Sequence, residues 1–293
     1  MRTFILGTDW WTDCDDAVAI RILARAHKAN EICIKGIGIN GCMEYSVTSL
    51  DAFLHSEGVE DIPLGIDTDA TDFGGNPPYQ KRLSLLPSKY KTNNDAEDAV
   101  RLYRRILANS EDTLEIIEIG YPQVLANLIE SGGDDISPES GLELIKKKVS
   151  KFWVMAGKWD ENPGKENNFA RNSRSRMAGS IFCEKCPVPV TFLGWEAGAD
   201  VITGDTLNND DVLYQVLCDH GSENGRSSWD PMLVLMAIIG DESLAGYDSV
   251  LGVASVDAHT GENSFRQTEN GKHRYVVKNR ENEYYKNQIN NLL

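Results

Sequence analysis

The sequence predicts an α/β protein with an open, mostly parallel Rossmann-like sheet and helices on both of its faces. Two observations carry this prediction. The first 66 residues have a β-α-β-α-β order, which implies parallel strands joined by right-handed crossovers. Polar residues also recur where predicted strands end, and this is the edge at which open α/β sheets bind ligands. No linker-like segment divides the chain, so we expect one domain over residues 1–293.

The predicted elements follow from apolar periodicity and from turn residues. The opening comprises a strand ending near residue 6, a helix at 16–29, a strand at 32–39, a helix at 46–56 and a strand at 62–66. Residues 67–94 lack periodicity and are predicted to form a long loop over the site. Further elements are a helix at 95–110, a strand at 114–119, a helix at 124–131, a strand at 151–157, a strand at 188–196, a helix at 232–239, a hairpin near 260–263 and a final helix.

Four carboxylates follow the first strand within eight positions: Asp9, Asp13, Asp15 and Asp16. Acids crowded at one strand end repel one another, and a hard divalent cation is the simplest way to neutralise them. Oxygen ligands favour calcium or magnesium over zinc. The alternative is that Asp13 and Asp15 cap the helix that follows, because a helix N-terminus favours negative charge.

Composition narrows the kinds of partner. The net charge of -16 argues against nucleic acid and anionic membranes, and a small neutral or cationic ligand fits better. No apolar run approaches the roughly 18 residues of a membrane span, and the first strand begins too early to leave room for a signal peptide. The six scattered cysteines suit free thiols in a reducing compartment, so we expect a cytoplasmic protein.

Two later segments carry candidate ligand-binding groups. Residues 158–176 are rich in amides and include Glu166 and Asn168, and amides both donate and accept hydrogen bonds as sugar hydroxyls do. An ordinary asparagine-rich loop is the alternative. Asp230 stands at a predicted helix start before Pro231, where it either caps the helix or binds a cation.

These segments resemble the inosine-uridine preferring nucleoside hydrolases, a family that cleaves the N-glycosidic bond of ribonucleosides with a bound calcium. Residues 7–20 match the family's longer opening motif, DTDxxxDxDDAxAL, apart from Gly7 in place of its first Asp and Ile20 in place of its last Leu. Residues 120–128 resemble its GxLTNLA block, residues 166–169 its ExNF block, and residues 228–231 its HDP or WDP block. The four blocks keep the family's order and span most of the chain.

The resemblance implies a nucleoside hydrolase fold and a role for each matching residue. The implied calcium ligands are Asp9, Asp16, Asp230 and the main-chain carbonyl of Gln123. Asp9 would also activate the calcium-bound water for attack on the ribose. The implied ribose contacts are Asp15, Asn40, Glu166, Asn168 and Asp230. The family also implies a homodimer or homotetramer.

The sequence departs from the family pattern at two positions. One concerns protonation of the leaving base, and the other lies beside the main-chain carbonyl that binds calcium. Well-known relatives place a His before the late Asp, to protonate the base, whereas this chain has Trp229. An indole has no titratable proton near neutral pH, but it can stack on a base. Val124 replaces a customary Asn beside the calcium carbonyl. No histidine falls in a family block, and His220 is the nearest of them in sequence to Asp230.

The leading hypothesis is a calcium-dependent ribonucleoside hydrolase with an aromatic base-binding wall drawn from Trp10, Trp11, Trp159, Trp195 and Trp229. Gly7 and Trp229 motivate a second hypothesis, a nucleoside- or ribose-binding protein that keeps the calcium site with weak or no hydrolysis. A phosphohydrolase with an aspartate nucleophile is a third, but the second Asp of its DxD motif is missing. The role of Asp13 and the preferred base are left open.

Overall fold

A computed structural model describes all residues, 1–293, and its central feature is one sheet of 11 strands. The chain has 13 strands in all: β1 (Arg2–Thr8), β2 (Ile32–Ile39), β3 (Leu64–Ile66), β4 (Glu97–Asp98), β5 (Leu114–Glu118), β6 (Val149–Met155), β7 (Gly164–Lys165), β8 (Val190–Leu193), β9 (Ile202–Thr203), β10 (Arg226–Ser227), β11 (Tyr247–Val256), β12 (Glu262–Gln267) and β13 (His273–Lys278). Their order across the sheet is β4-β3-β2-β1-β5-β6-β8-β13-β11-β12-β7, and β9 and β10 form a separate pair. The eight neighbouring strands that run across the sheet from β4 to β13 pair in parallel. The remaining three, β11, β12 and β7, are joined to the sheet by antiparallel pairing. The predicted mostly parallel sheet is thus confirmed.

Helices cover both faces of the sheet. They are α1 (Asp15–Lys28), α2 (Ser46–Ser56), α3 (Gln80–Leu83), α4 (Ala99–Asn109), α5 (Gln123–Glu130), α6 (Gly141–Lys148), α7 (Asn167–Ala170), α8 (Ser173–Lys185), α9 (Trp195–Gly198), α10 (Val212–His220), α11 (Trp229–Ile239) and α12 (Asn282–Asn290). Alternate residues of β1 belong to two different buried clusters, Phe4 and Leu6 to one and Ile5 to the other. Both faces of this strand are therefore packed, as expected in a parallel sheet. No helix has both the length and the apolar character needed to cross a membrane.

The element predictions hold best where periodicity is strong. Helix α2 has the predicted bounds, whereas the helix predicted at 95–110 begins only at Ala99, after a 3₁₀ turn (Asn93–Asp95) and the short β4. The predicted loop at 67–94 contains the single turn of α3. Helices α6, α8 and α10 were not predicted.

A buried histidine, His273, lies on β13, where the parallel strands of the sheet meet the antiparallel ones. Its Nδ1 accepts a hydrogen bond from the backbone N–H of Ala254 at 2.9 Å, and burial lowers its pKa to about 4. The ring is therefore neutral in the folded protein at neutral pH. Acid favours the unfolded chain, in which the same ring takes up a proton at about pH 6.5.

We expect this histidine to make folding acid-sensitive. The loss of unfolding free energy due to His273 begins as pH falls below about 6.5, is complete below about 4, and reaches about 3 kcal/mol. His273→Asn keeps an acceptor for Ala254 and should remove that share of the pH dependence of the unfolding free energy, measured by urea titration between pH 4 and 7. The exposed His259→Asn is the control and should keep the wild-type slope. Equal slopes for wild type and His273→Asn would contradict the prediction.

Candidate active site

The carboxyl edge of the parallel strands holds a cavity of about 270 Å³ that gathers the acids of the first loop. Asp9 follows β1, Asp15 and Asp16 begin α1, and Asp230 lies in the first turn of α11. All four line the cavity. Carboxylate oxygens of Asp15, Asp16 and Asp230 lie within 4.8 Å of one another, an arrangement that could hold a metal ion.

Simple capping does not account for these acids. The N-cap of α1 is Cys14, which makes no side-chain capping bond. Asp13 accepts a bond from the backbone N–H of Cys14, while Asp15 accepts one from the N–H of Asp230 at 3.1 Å and so ties α1 to α11. The helix N-termini still favour the negative charges beside them.

The charges of the cluster are poorly compensated within the protein. Burial and mutual repulsion raise the pKa of Asp9, Asp15 and Asp230 well above the ordinary value, and burial raises that of Asp16 to about 6. The donors that reach Asp16 are the Thr8 hydroxyl and the N–H of Trp10, neither of which carries a charge. Carboxylates placed in this way fit a hard divalent cation, which would supply the missing positive charge.

The wall facing the cluster carries the predicted sugar-binding groups. Glu166 caps the short helix α7, where its oxygens accept bonds from the N–H groups of Asn168 at 2.8 Å and Gly157 at 3.0 Å. Burial raises the pKa of Glu166 to about 7. Asn168 donates to the Met155 carbonyl, and its neighbour Asn167 also lines the cavity. The segment is therefore an anchored wall with polar groups toward the cavity, and the ribose roles of Glu166 and Asn168 remain predictions.

Asn40 and Gln123 lie behind the cavity instead of lining it. Asn40 is fully buried, donates to Glu118 at 2.7 Å and accepts from the N–H of Tyr121 at 2.8 Å. Gln123 is the first residue of α5, and its side chain donates to the Asn40 carbonyl. Both therefore hold the end of β2 against the turn after β5. This placement gives Asn40 no direct access to the predicted ribose, whereas the carbonyl role of Gln123 remains a prediction.

Gly7 stands where the family motif has its first Asp, and an acid from the neighbouring strand β5, Glu118, lies beside it. A β-carbon added at Gly7 would collide with the Glu118 carboxyl group. That carboxyl group is fully buried, accepts from Asn40 and from the N–H of Gly120, and has one oxygen without a partner. Burial raises the pKa of Glu118 to about 8. The space beside Gly7 is thus filled by a carboxyl group from β5.

Because the Glu118 carboxyl group fills the space beside Gly7, substitutions at these two positions should compensate for one another. Gly7→Asp alone should destabilise the protein by about 2 kcal/mol or more, because two side chains would compete for one buried space. Gly7→Asp combined with Glu118→Ala should regain a large part of that loss in urea unfolding. Glu118→Ala alone is the third corner of the cycle. Strictly additive effects of the two substitutions would contradict the shared space.

Three of the five predicted tryptophans reach the cavity: Trp11, Trp195 and Trp229. The indoles of Trp195 and Trp229 stack with their centroids 6.4 Å apart, and Trp229 Nε1 donates to the Trp195 carbonyl at 2.7 Å. The prediction for Trp10 and Trp159 was wrong. Trp10 is buried, and its Nε1 donates a hydrogen bond to the Ser49 hydroxyl. Trp159 packs beside Phe192, away from the cavity. Their apolar area is used for core packing.

Asp13, whose role the sequence left open, binds Arg226 on β10. The Nε and Nη2 atoms of Arg226 donate to the two oxygens of Asp13 at 2.8 and 2.6 Å. Burial alone would raise the pKa of Asp13, but the hydrogen bonds and charge of Arg226 lower it below its ordinary value. His220 Nε2 stands 3.9 Å from Asp13 and does not line the cavity. A cation beside Asp13, Cys14 and His220 would face the guanidinium, so this group is a poor metal site.

Arg226 and Glu118 were missed at the sequence level, although each gave a weak signal. Glu118 is an acid in an otherwise apolar strand, next to the turn that matches a family block. Arg226 comes four residues before Asp230, but nothing local indicates a partner in the first loop. Its pair spans 213 residues and exists only in the folded chain.

The fold and the cavity define a class: this is the nucleoside hydrolase fold. The structure is similar to a plant nucleoside hydrolase, with a TM-score of 0.73 over 99% of this chain and 98% of that one at 17% identity. It is also similar to the inosine-uridine preferring nucleoside hydrolase from Bacillus anthracis, with a TM-score of 0.70 over 100% and 99% of the two chains at 14% identity. The fold implied by the sequence resemblance is thus confirmed.

A third similar structure is the type III effector protein XopQ complexed with adenosine diphosphate ribose, with a TM-score of 0.69 over 99% of this chain and 93% of that one at 13% identity. No protein-family model matches the sequence, and no curated protein matches it. At such low identities the likeness establishes the fold, and activity has to be argued from the residues of the cavity.

Proposed function

We propose that this protein is a calcium-dependent ribonucleoside hydrolase that cleaves the N-glycosidic bond to give ribose and a free base. The observation that carries the proposal is the buried, poorly compensated cluster of Asp15, Asp16 and Asp230, beside the partly exposed Asp9, in a cavity that also holds a polar wall and two stacked indoles. Its volume is near the lower end of ordinary small-molecule sites, roughly 300–1,000 Å³. The nucleoside hydrolases of similar structure support the same chemistry.

The cation would be held by Asp9, Asp16 and Asp230, which line the cavity, and the family resemblance implies the Gln123 carbonyl as a fourth ligand. When bound, it would lower the pKa of a water molecule in the site and place it for attack. Asp9 would take the proton of that water, because its carboxylate faces the cavity directly after β1. Asp15 and Asp230 would accept hydrogen bonds from the ribose hydroxyls.

The opposite wall would hold the sugar as its charge changes. Glu166 is fixed by two backbone N–H groups, and Asn168 by the Met155 carbonyl, so neither has to reorganise when ribose binds. Their contacts would strengthen as the sugar flattens toward an oxocarbenium ion, which lowers the barrier. Trp229 and Trp195 would stack on the base without supplying a proton.

The proposal is tested by a reducing-sugar assay over purine and pyrimidine ribonucleosides, with calcium and with a chelator. We expect ribose release from at least one nucleoside in calcium and none after chelation. Deoxyribonucleosides in the same assay report whether the 2-hydroxyl is required. Absence of release from every nucleoside in calcium would refute the hydrolase.

The second candidate function is a nucleoside-binding protein with weak or no hydrolysis. Trp229, which occupies the place of an acid for the leaving base, favours it, and one protein of similar structure was solved with adenosine diphosphate ribose. Calorimetry with the same nucleosides and with adenosine diphosphate ribose distinguishes the two functions. Saturable binding with no ribose release would favour the binding protein.

We also propose that the chain acts as one domain, self-associates as a dimer or tetramer, and binds neither nucleic acid nor membranes. Its six free cysteines suit the reducing cytoplasm. Sedimentation at several concentrations tests the self-association.

A further inference from the structure

Arg226 is the one basic side chain that lines the cavity, and the protein holds it rigidly there. Asp13 binds it through two parallel hydrogen bonds, a geometry that fixes the plane of a guanidinium. Both side chains are about one-third exposed, 31% for Arg226 and 34% for Asp13. The guanidinium is therefore oriented toward the cavity before any ligand binds.

The guanidinium of Arg226 also lies close to the stacked indoles of Trp229 and Trp195. Its carbon stands 5.2 Å from the centroid of the Trp229 ring, which in turn stacks on Trp195. Asp13 occupies Nε and Nη2, whereas Nη1 makes no hydrogen bond within the protein. The cavity thus offers fixed N–H donors beside the aromatic surface on which a base would stack.

We propose that Arg226 recognises and activates the leaving base through Nη1 and the second N–H of Nη2, and that this selects nucleosides of 6-oxopurines. The inference rests on the proposed hydrolase function and assigns it a substrate class. A 6-oxopurine presents two neighbouring acceptors, O6 and N7, and arginine pairs with both. Adenine presents an amino donor beside N7, which would face the donors of Arg226. Asp13 is the positioning residue for this contact.

Arg226 acts by stabilising charge. As the bond between C1 of ribose and the base nitrogen breaks, its electron pair moves onto the base, and negative charge spreads to O6 and N7. Arg226 donates hydrogen bonds to these atoms and keeps its own protons, because its bonds to Asp13 raise its pKa above the ordinary value. The base then takes a proton from solvent, and Asp9 releases to solvent the proton taken from water.

The test compares Arg226→Met and Arg226→Lys on inosine, adenosine and 4-nitrophenyl riboside. The last substrate releases nitrophenolate, which needs no help to leave. Arg101→Met is the matched control, because Arg101 also binds an aspartate, Asp135, through two bonds of 2.8 Å, but does so on the exposed surface away from the cavity. Calcium affinity and melting temperature verify that each variant is folded.

We expect Arg226→Met to lower kcat/KM for inosine by about 100-fold, mostly in kcat, as for loss of one preorganised donor. Hydrolysis of the nitrophenyl riboside should change by less than about threefold, and the wild-type preference for inosine over adenosine should disappear. Arg226→Lys should retain part of the inosine activity, and Asp13→Asn should show the same substrate pattern more weakly. The control should match the wild type.

Three results would overturn the inference in different ways. Equal losses on inosine and nitrophenyl riboside would mean that Arg226 only supports the structure, and the hydrolase function would stand. A wild-type protein that prefers adenosine would also reject the role of Arg226 in base selection. A wild-type protein inactive on all three substrates would reject the role of Arg226, and the hydrolase itself would be refuted if no pyrimidine nucleoside were cleaved either.

Discussion

An Asp9→Asn protein should release ribose at least about 10³-fold more slowly than the wild-type protein, because it loses both a proton acceptor and a ligand of the cation. Asp230→Asn should have a comparable effect, since it removes a second ligand and a ribose contact. The measurement is kcat on the best nucleoside, with folding checked by circular dichroism. Asp112→Asn, an exposed substitution, is the control and should keep full activity. Full ribose release by Asp9→Asn would remove Asp9 from the mechanism.

Removal of divalent cations should abolish activity and lower the melting temperature, and calcium should restore both. The stability gain follows from binding to the folded state alone, about 2.7 kcal/mol at a calcium concentration 100 times the dissociation constant. The physical reason is the buried cluster of Asp15, Asp16 and Asp230, whose repulsion the cation relieves.

The same cluster predicts an opposite effect of Asp230→Asn on the metal-free protein. Removing one buried charge should raise the melting temperature without calcium, although it eliminates activity. Scanning calorimetry of wild type and Asp230→Asn, each with calcium and with chelator, gives all four values. A metal-free variant less stable than the metal-free wild type would show that repulsion is not the dominant effect in this cluster.

Features fixed by local chemistry could be predicted from the sequence. The acids after β1 and the turn before α5 each follow the end of a strand. The carboxyl ends of parallel strands meet at the same edge of the sheet. The structure accordingly brings Asp9, Asp15, Asp16, Glu166, Asn168, Trp229 and Asp230 to one cavity. Their placement needed only the order of elements and the family motifs.

Features that depend on distant packing could not be predicted in the same way. The Asp13 and Arg226 pair joins the first loop to β10, and Glu118 fills a space vacated on β1. Which tryptophan is buried depends on how the loops fold, so Trp10 and Trp159 were misplaced. Helix α8 has weak periodicity, whereas α6 begins with a capping box, Ser140 with Glu143, which marks its start in the sequence.

The central claim is that the buried carboxylates hold a cation that serves nucleoside hydrolysis. It is tested most directly by titrating the metal-stripped protein with calcium while measuring both bound calcium and the rate of ribose release from inosine. We predict that the rate rises in proportion to occupancy and reaches its maximum at one calcium per chain. Full ribose release before calcium is added, or one calcium bound per chain with no ribose release from inosine or any other nucleoside, would contradict the claim.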